Sequence, residues 1–244
     1  MRGNKMSNVK VRRRLQPARD AVVVPLATAY SRIWSAIVDH RLPPGTRLIE
    51  DQLCKVFGIG RTRIRQVLQR LAHEHVVTLM PNRGAMVSKP TIQQAREVFE
   101  ARCVLESALV AKLLESATRA DKRQMRMHLQ REKEAYEARN RRAIITLSGE
   151  FHLKLAELAG NALMLQMLRE LVSQSSLIIA AYQPAGAAPC PPHEHEQFCA
   201  ALEAQDRSAI KLIQHHLRHV LEALDLAETA ARDIDIRTVL THVA

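Results

Sequence analysis

The sequence predicts a mainly α-helical protein in two parts: a small N-terminal unit with two short strands, and a larger C-terminal part made of helices. Two amphipathic segments separated by a glycine occupy residues 49–75, and a strand–turn–strand pattern follows at 76–88. From residue 92 onward, apolar residues recur at helical spacing and glycines are few. The 244 residues exceed what the first unit needs, so we expect a second domain.

Positive charge is concentrated at the N-terminal end. Residues 1–90 hold 17 Lys and Arg against 5 Asp and Glu, a balance of +12, whereas residues 91–244 hold 19 against 20, a balance of −1. This asymmetry favours a nucleic-acid partner for the first part and a different role for the second.

Residues 1–24 are interpreted as a flexible basic arm, which either stays solvated or touches DNA phosphate. The chain shows no apolar stretch of signal-peptide or membrane-span length, so we expect a cytoplasmic protein without membrane association. Its cysteines (Cys54, Cys103, Cys190 and Cys199) form no CxxC pair and fit reduced thiols in that compartment.

Three helices and a strand pair are predicted before residue 90. The first helix spans residues 27–41, with apolar positions stepping by three and one, and it is closed by the Leu-Pro-Pro-Gly run at 42–45. The second helix lies in IEDQLCKVFGI and ends at Gly58, which can adopt the positive φ that a tight turn needs. The strands are VVTLM and AMVS, joined by the turn at 81–84. This order is typical of a winged helix-turn-helix.

The third helix, within GIGRTRIRQVLQRLAHEH at residues 58–75, has two distinct faces. One narrow stripe is apolar and suits a core, and the opposite face is polar and basic. We therefore expect this helix to enter the DNA major groove. The predicted DNA-contacting residues are Arg61, Thr62, Arg63, Arg65 and Gln66 from the helix, with Arg83 and Gly84 from the wing.

The rest of the chain is predicted to be an all-helical bundle. Thr91 and Gln94 form a capping box for its first helix. Helices are expected near 92–117, 120–139, 141–159, 162–182, 193–204 and 207–227. These boundaries divide the chain into a DNA-binding domain at 25–90, an effector-binding and dimerisation domain at 91–230, and a tail at 231–244.

The run from Leu42 to Val87 resembles the DNA-binding domain of the GntR family of bacterial transcriptional regulators. The resemblance rests on Pro44-Gly45, on Arg61-Thr62 and Arg65 of the third helix, and on Arg83-Gly84 of the wing. Gly60 departs from the family pattern, which has Ser or Thr there as a helix cap. The resemblance implies a winged helix-turn-helix that binds double-stranded operator DNA, more often as a repressor than as an activator.

Residues 92–226 resemble the effector-binding domain called FCD, found in the FadR-like branch of that family. The most specific pieces are EVFEARCVLE at 97–106, FHLKLAELAGN at 151–161, EHEQFCAALEAQD at 194–206 and HHL at 215–217. The resemblance implies an all-helical bundle. It also implies a divalent metal, held by one Asp and three His beside a pocket for a small carboxylate.

Transferred to this chain, the metal pattern falls on His152, His195 and His216, with adjacent His215 as a rival for the last position. Ser148 stands where the family has Asp, and a neutral hydroxyl does not offset the charge of an ion. Zinc or nickel suits a set of three histidines. Arg102 and Ser148 are the predicted effector-binding residues.

Other interpretations of these residues compete with metal and effector binding. The histidines can be ordinary core or surface side chains, and Arg102 can form an ion pair within the domain. A metal-dependent hydrolase fused to a DNA-binding module is one alternative function. Against it, the sequence shows no paired catalytic carboxylates and no HExxH motif. An architectural DNA binder that senses no effector is another. We expect a regulator without enzyme activity that binds DNA as a homodimer.

Overall fold

The computed structural model describes residues 24–81, 84–184 and 192–226, and it has the expected mainly α architecture. The N-terminal elements are α1 (Leu26–Val38), β1 (Arg47–Leu48), α2 (Glu50–Phe57), α3 (Arg61–His73), β2 (Val77–Met80) and β3 (Gly84–Val87). The bundle consists of α4 (Ile92–Ser116), α5 (Arg119–Glu137), α6 (Arg141–Leu158), α7 (Ala162–Tyr182), α8 (Pro192–Glu203) and α9 (Ser208–Glu222).

Some predictions fall outside the described residues. They concern the basic arm up to residue 23, Arg83 of the wing, Cys190 and the tail at 231–244. Within the described ranges, no helix combines the length and the apolar character needed to cross a membrane.

The turn between α2 and α3 depends on glycine. Gly58 has φ +65°, and its N–H donates to the carbonyl oxygen of Cys54 at 2.9 Å, which ends α2. This left-handed conformation is unfavourable for residues with a Cβ. Gly60 then precedes α3 in an extended conformation and gives the helix no side-chain cap. The apolar stripe predicted for α3 is buried, with Ile64 and Leu71 fully inaccessible.

The wing is a three-stranded antiparallel sheet in the order β1-β3-β2, so the predicted strand pair gains a third strand that the sequence did not reveal. Leu48 of β1 pairs with Ala85, and Val77 of β2 pairs with Val87. Gly84 has φ +82°, and a Cβ at this position would lie 3.0 Å from the carbonyl oxygen of Leu48. Gly84 therefore allows β1 to approach β3 closely, which supports a structural role for this residue.

The first helix is shorter than predicted. The expected span was 27–41, whereas α1 ends at Val38. His40 adopts φ +60°, and the N–H of Leu42 turns back to the carbonyl oxygen of Ala36 at 2.7 Å. The Asp39 side chain also accepts hydrogen bonds from Thr146 and Arg142 of α6, so the end of α1 is held by the bundle.

The bundle helices lie within a few residues of their predicted bounds, and polar side chains cap several of them. Thr91 and Gln94 form the expected capping box at the start of α4, and Thr118 with Asp121 forms another at the start of α5. Asn161 caps α7 by accepting from two backbone N–H groups.

Two hydrophobic cores meet at α7. One core joins α1, α2, α3 and the wing sheet, and it also takes in Leu177 of α7. The other core fills the bundle. Hydrogen bonds between the parts include those from Trp34 Nε1 to Ser173 Oγ at 3.0 Å and from Tyr182 Oη to the carbonyl oxygen of Pro90 at 2.6 Å. The N-terminal unit is therefore bonded to the bundle at α7 as well as through the chain connection.

Candidate functional site

The polar face of α3 is open to solvent, as a DNA-reading surface requires. The predicted contact residues on it (Arg61, Thr62, Arg63, Arg65 and Gln66) are all exposed. Gly84 is half-buried at the start of β3. The predicted contact residues of α3 are therefore all accessible to a partner.

Two of these arginines are paired with acidic residues in the first turn of α2. Arg61 donates to both carboxylate oxygens of Asp51, at 2.8 and 3.0 Å, and Arg65 Nε donates to Glu50 at 2.9 Å. The arginine side chains nevertheless remain 65% and 62% exposed. The sequence interpretation missed these partners, although Glu50 and Asp51 are the only acidic residues between 40 and 73.

Three histidines from separate helices meet inside the bundle. His152 lies on α6, His195 on α8 and His216 on α9, all buried, and one nitrogen from each lies within 4.8 Å of the others. Nε2 of His195 is 3.3 Å from Nε2 of His216. Two nitrogens bonded to one ion at about 2.0–2.1 Å and at the tetrahedral angle would be about 3.4 Å apart. This group, called the histidine cluster below, fits a metal ion.

A carboxylate stands behind each ring of the histidine cluster, bonded to Nδ1. The pairs are His152 with Glu106 at 2.6 Å, His195 with Glu132 at 2.9 Å, and His216 with Glu194 at 2.6 Å. Metal-binding histidines commonly have such a carboxylate, which sets the tautomer and leaves Nε2 for the ion. The sequence interpretation missed all three glutamates. The signal for Glu106 was its position one helical turn after Arg102.

The charge states of the cluster follow from its burial. Burial lowers the pKa of His152 to about 3, so this ring is neutral at pH 7, the form that binds metals. Burial also acts to raise the pKa of Glu106, but Arg102 and His152 together lower it to about 2. For Glu132, burial prevails and raises the pKa to about 8. A cation at the cluster would lower this value again.

Packing also orients the cluster. The ring of Phe151 stacks on His195, with centroids 3.7 Å apart and planes 6° from parallel. His128 of α5 bonds through Nε2 to the carbonyl oxygen of Leu147 at 2.8 Å, which holds α5 against α6 next to Glu132. These contacts fix the orientation of the rings.

The rival residue lies elsewhere. His215 is exposed, and His216 occupies the cluster position. Glu150, two residues before His152 on α6, is also exposed and lies 3.8 Å from Arg131. Ser148, in the position of the family's Asp, lines a cavity that His152 and His216 also line.

Arg102 is an intradomain ion-pair partner and also lines this cavity. Its Nε donates to Glu106 at 2.8 Å and its Nη1 to Ser175 Oγ at 2.9 Å, with the guanidinium buried. Nη2 is buried and has no hydrogen-bond partner among the described residues. A buried donor without a partner is costly, which indicates a place for an acceptor from a ligand.

The cavity beside the cluster has a volume of about 50 Å³. A larger cleft of about 600 Å³ lies between the wing and the bundle, lined by residues such as Lys89 and Glu97. Neither Arg102 nor the histidine cluster lines that cleft. The buried polar groups of the bundle therefore converge on the smaller cavity and not on the larger cleft.

The chain joins a winged helix-turn-helix, whose third helix is basic and exposed, to a helical bundle with a buried polar cavity. This combination is typical of a DNA-binding protein with a second, ligand-responsive domain. The comparisons with known families agree. Residues 25–87 match "Bacterial regulatory proteins, gntR family", and residues 97–219 match the FCD domain. The chain belongs to the GntR family of transcriptional regulators, in the branch with an FCD domain, and it is a regulator and not an enzyme.

Relatives of similar length carry the same assignment. The chain is 24% identical over 206 residues to an uncharacterized HTH-type transcriptional regulator, YdhC, of Bacillus subtilis, covering 79% of this chain and 91% of the relative. It is 22% identical over 190 residues to the HTH-type transcriptional repressor RspR of Escherichia coli, covering 77% and 83%.

Solved structures share the fold. Escherichia coli McbR/YncC superposes with a TM-score of 0.68 at 22% identity, covering 82% of this chain and 94% of the other. A putative GntR transcriptional regulator from Rhodococcus sp. RHA1 gives a TM-score of 0.71 at 22% identity, covering 81% and 95%. At these identities, the likeness concerns the fold alone.

Proposed function

We propose that this regulator is a homodimeric repressor that binds a double-stranded operator in the cytoplasm and is released by a small carboxylate. One observation carries the effector part of this proposal. The histidine cluster has a carboxylate behind each ring, and Arg102, whose buried Nη2 has no hydrogen-bond partner among the described residues, lines a cavity next to it. A bundle that senses nothing would keep these buried polar groups at a cost in stability.

The histidine cluster would hold a divalent ion, with zinc or nickel best suited to three imidazoles. When bound, the ion would supply a Lewis-acid site for an oxygen ligand. The loss of the family's Asp at Ser148 is offset in this chain. When ionised, the three glutamates behind the rings balance the combined charge of a divalent ion and Arg102.

A carboxylate is the ligand class that suits the remaining groups. Arg102 offers a fixed, charged N–H donor at the cavity, and Ser148 offers a hydroxyl. Charge-assisted bonds to a carboxylate are about twice as strong as neutral ones. Both predicted effector-binding residues therefore line one cavity with the metal candidates His152 and His216.

The DNA-binding surface would consist of Arg61, Thr62, Arg63, Arg65 and Gln66 of α3, and the sequence adds Arg83 and Gly84 of the wing as predicted contacts. In the free protein, Asp51 and Glu50 hold Arg61 and Arg65 near the helix surface. Exposed ion pairs of this kind contribute little to stability, so the arginines can exchange their partners for bases or phosphates at small cost.

An apolar face on α4 and α7 supports a second copy of this chain as partner. The helices α4 and α7 run in opposite directions, because Arg102 bonds to Ser175 whereas Pro90, before α4, bonds to Tyr182 at the end of α7. Two helical turns from the start of this pair, where Glu97 and Gln174 line one cleft, the exposed positions are Val104 on α4 and Met167 on α7. These side chains are 70% and 50% exposed, and nearby Leu163 is 68% exposed. Large apolar side chains grouped on one surface commonly mark an interface.

A charged residue on that face tests the homodimer. Val104→Glu should convert a dimer to a monomer in sedimentation equilibrium and weaken operator binding, because each monomer would read one half-site. Met127→Glu is a suitable control, since Met127 is 64% exposed on α5. A wild-type protein that sediments as a monomer at micromolar concentration would contradict the homodimer.

Operator binding and release can be tested together. The operator is selected from a pool of randomised duplexes, and the metal content of the purified protein is measured before and after chelation. Small carboxylates are then titrated into the free protein and into the protein–operator complex. Reciprocity requires DNA and effector to weaken each other's binding by one factor, commonly about 5–150-fold.

The results separate repression from an architectural role. An effector-independent architectural DNA binder would bind DNA with affinity unchanged by any carboxylate, with or without metal. Equal affinity of a cavity ligand for free and operator-bound protein would exclude that ligand as the switch.

A further inference from the structure

The last helix of the bundle carries histidines at its surface as well as in the histidine cluster. His216 of α9 belongs to the cluster, whereas His215 and His219 are exposed to solvent. His215 and His219 are four residues apart, so they lie one turn apart on the same side of α9. Their ring centroids are 6.2 Å apart. These two residues are called the surface histidine pair below.

A buried carboxylate connects the surface histidine pair to the cluster. One oxygen of Glu194 of α8 accepts from Nδ1 of His216 at 2.6 Å, and the other oxygen accepts from Nδ1 of His219. Glu194 is 8% exposed, whereas the side chain of His219 is 46% exposed. This carboxylate therefore reaches from the interior of the bundle to its surface.

The bond to Glu194 prepares His219 for a metal ion. A carboxylate at Nδ1 fixes the tautomer with the proton on that nitrogen, raises the basicity of the ring and leaves the lone pair of Nε2 for an ion. The three histidines of the cluster have the same support. His219 is thus arranged like a metal ligand, although it lies outside the cluster.

The spacing of the surface histidine pair also suits an ion. Two histidines at positions i and i+4 of one helix face are the arrangement with which zinc-binding helices hold their metal. With nitrogen–metal distances of about 2.0–2.1 Å and a tetrahedral angle, the two ring centres would be about 5 Å apart. The observed 6.2 Å is about 1 Å longer, and rotation of the exposed side chains closes this difference.

The neighbouring residues determine the class of ion and its affinity. Glu222, three residues after His219, is exposed on the same side of α9 and offers a carboxylate. Lys211, one turn before His215, and Arg218 are exposed cations beside the pair, and they weaken the binding of any cation. Imidazole ligands favour Zn²⁺, Ni²⁺ and Cu²⁺, whereas Mg²⁺ and Ca²⁺ prefer oxygen ligands.

We propose that His215 and His219 form a second metal site, on the surface of α9, which takes a late transition-metal ion and shares Glu194 with the buried cluster. The site needs no effector and no ion in the cluster. With two histidines in place of three, it binds an ion more weakly and loses it on dialysis. The metal that purified protein retains is therefore that of the cluster, whereas the surface site fills only when free metal is present.

The test is a calorimetric titration of Ni²⁺ into dialysed, full-length protein that carries no histidine tag. Wild type should take up one ion at the surface site, more weakly than the cluster holds its own. His215→Ala and His219→Ala should each lose this weaker equivalent and keep the tightly held metal. His73→Ala is the matched control, because His73 is an exposed histidine of α3 with no histidine one turn away. It should keep every equivalent of the wild type.

The role of Glu194 gives a second measurement. Glu194→Gln removes the charge behind His216 and His219, so it should weaken both sites by about tenfold to a hundredfold. His219→Ala, in contrast, should affect the surface site alone. Circular dichroism of each variant checks that the helix content is unchanged. A loss of affinity at the cluster with the surface site unaffected would show that Glu194 does not support a metal ligand at His219.

The outcomes separate this site from the cluster. The proposal is overturned if wild type takes up no ion beyond the cluster, or if His215→Ala and His219→Ala keep the weaker equivalent. Protein with the His195→Ala substitution should still bind the weaker equivalent, because the surface site does not use His195. A cluster that holds no metal therefore leaves the surface site testable, and failure of the surface site leaves the cluster proposal standing.

Discussion

The recognition helix and the bundle use charged residues under opposite conditions. Arg61 and Arg65 of α3 pair with acidic residues while their side chains stay 65% and 62% exposed. In the bundle, the ion pair of Arg102 and Glu106 is 5% and 0% exposed. An exposed pair is screened by water and exchanges partners easily, whereas a buried pair is strongly coupled and is costly to break. The exposed pairs of α3 can therefore exchange partners, whereas the buried pair of the bundle holds a fixed arrangement.

The largest effect expected from this contrast concerns Glu106. Glu106→Gln should destabilise the protein by about 3–5 kcal/mol, because Arg102 would be left as a buried charge without its counter-charge. Denaturant unfolding measures this change. Glu150→Gln removes the exposed partner of Arg131 on α6 and should change stability by less than about 1 kcal/mol. Equal effects of the two variants would remove the contrast between the regions.

The second effect concerns metal binding. His195→Ala leaves only two of the three histidine ligands, so it should lower metal affinity by at least about a hundredfold and abolish stoichiometric metal. The helix content should stay unchanged. Elemental analysis and circular dichroism measure the two quantities. His215→Ala, which removes an exposed histidine, should keep the wild-type metal content. Stoichiometric metal in the His195→Ala protein would show that His195 is a core residue only.

The third effect concerns DNA. Arg65→Ala should weaken specific operator binding about tenfold to a hundredfold while leaving the fold unchanged, since the side chain is exposed. Binding of the wild type should weaken steeply between low and physiological salt. Arg119→Ala, an exposed arginine at the start of α5, serves as the control. Unchanged operator affinity in a folded Arg65→Ala protein would argue against α3 as the reader.

The fourth effect concerns a substitution that restores the carboxylate which the family has at position 148. Ser148→Asp should tighten metal binding about tenfold, because it adds an anionic oxygen beside His152. The gain is expected to be modest, because the three glutamates, when ionised, would offset the charge of the ion through the rings. Competition with a chromogenic chelator measures the affinity. Absence of metal from both wild type and Ser148→Asp would identify the cluster as ordinary core histidines.

The smallest effect concerns the entry into α3. A Cβ at Gly60 would meet no atom within 4 Å, and the extended backbone there suits a capping serine. Gly60→Ser should therefore stabilise the protein by a few tenths of a kcal/mol, roughly the difference between the two caps. Thermal unfolding measures the gain. A loss of stability would mean that the uncapped start of α3 is required by the fold.

Local patterns determined most of the architecture. The apolar stripes of the helices, the capping box at Thr91 and the glycine at 58 act over a few residues, so the sequence alone predicted the winged helix-turn-helix and the bundle closely. The three histidines were also brought to one place as the family resemblance implied. The short strand β1 was missed because two residues carry no periodicity, and its existence depends on pairing with β3.

Tertiary contacts decided the rest. The early end of α1 follows from bonds to α6, about 100 residues away, and the glutamates behind the histidine rings come from α4, α5 and α8. The contribution of Val38 and His40 to the wall of the bundle cavity likewise depends on how the two parts pack. Periodicity and spacing describe which face of a helix a residue occupies. Which side chain from a distant helix meets that face is set only when the helices pack, because that choice depends on shape and charge across the whole core.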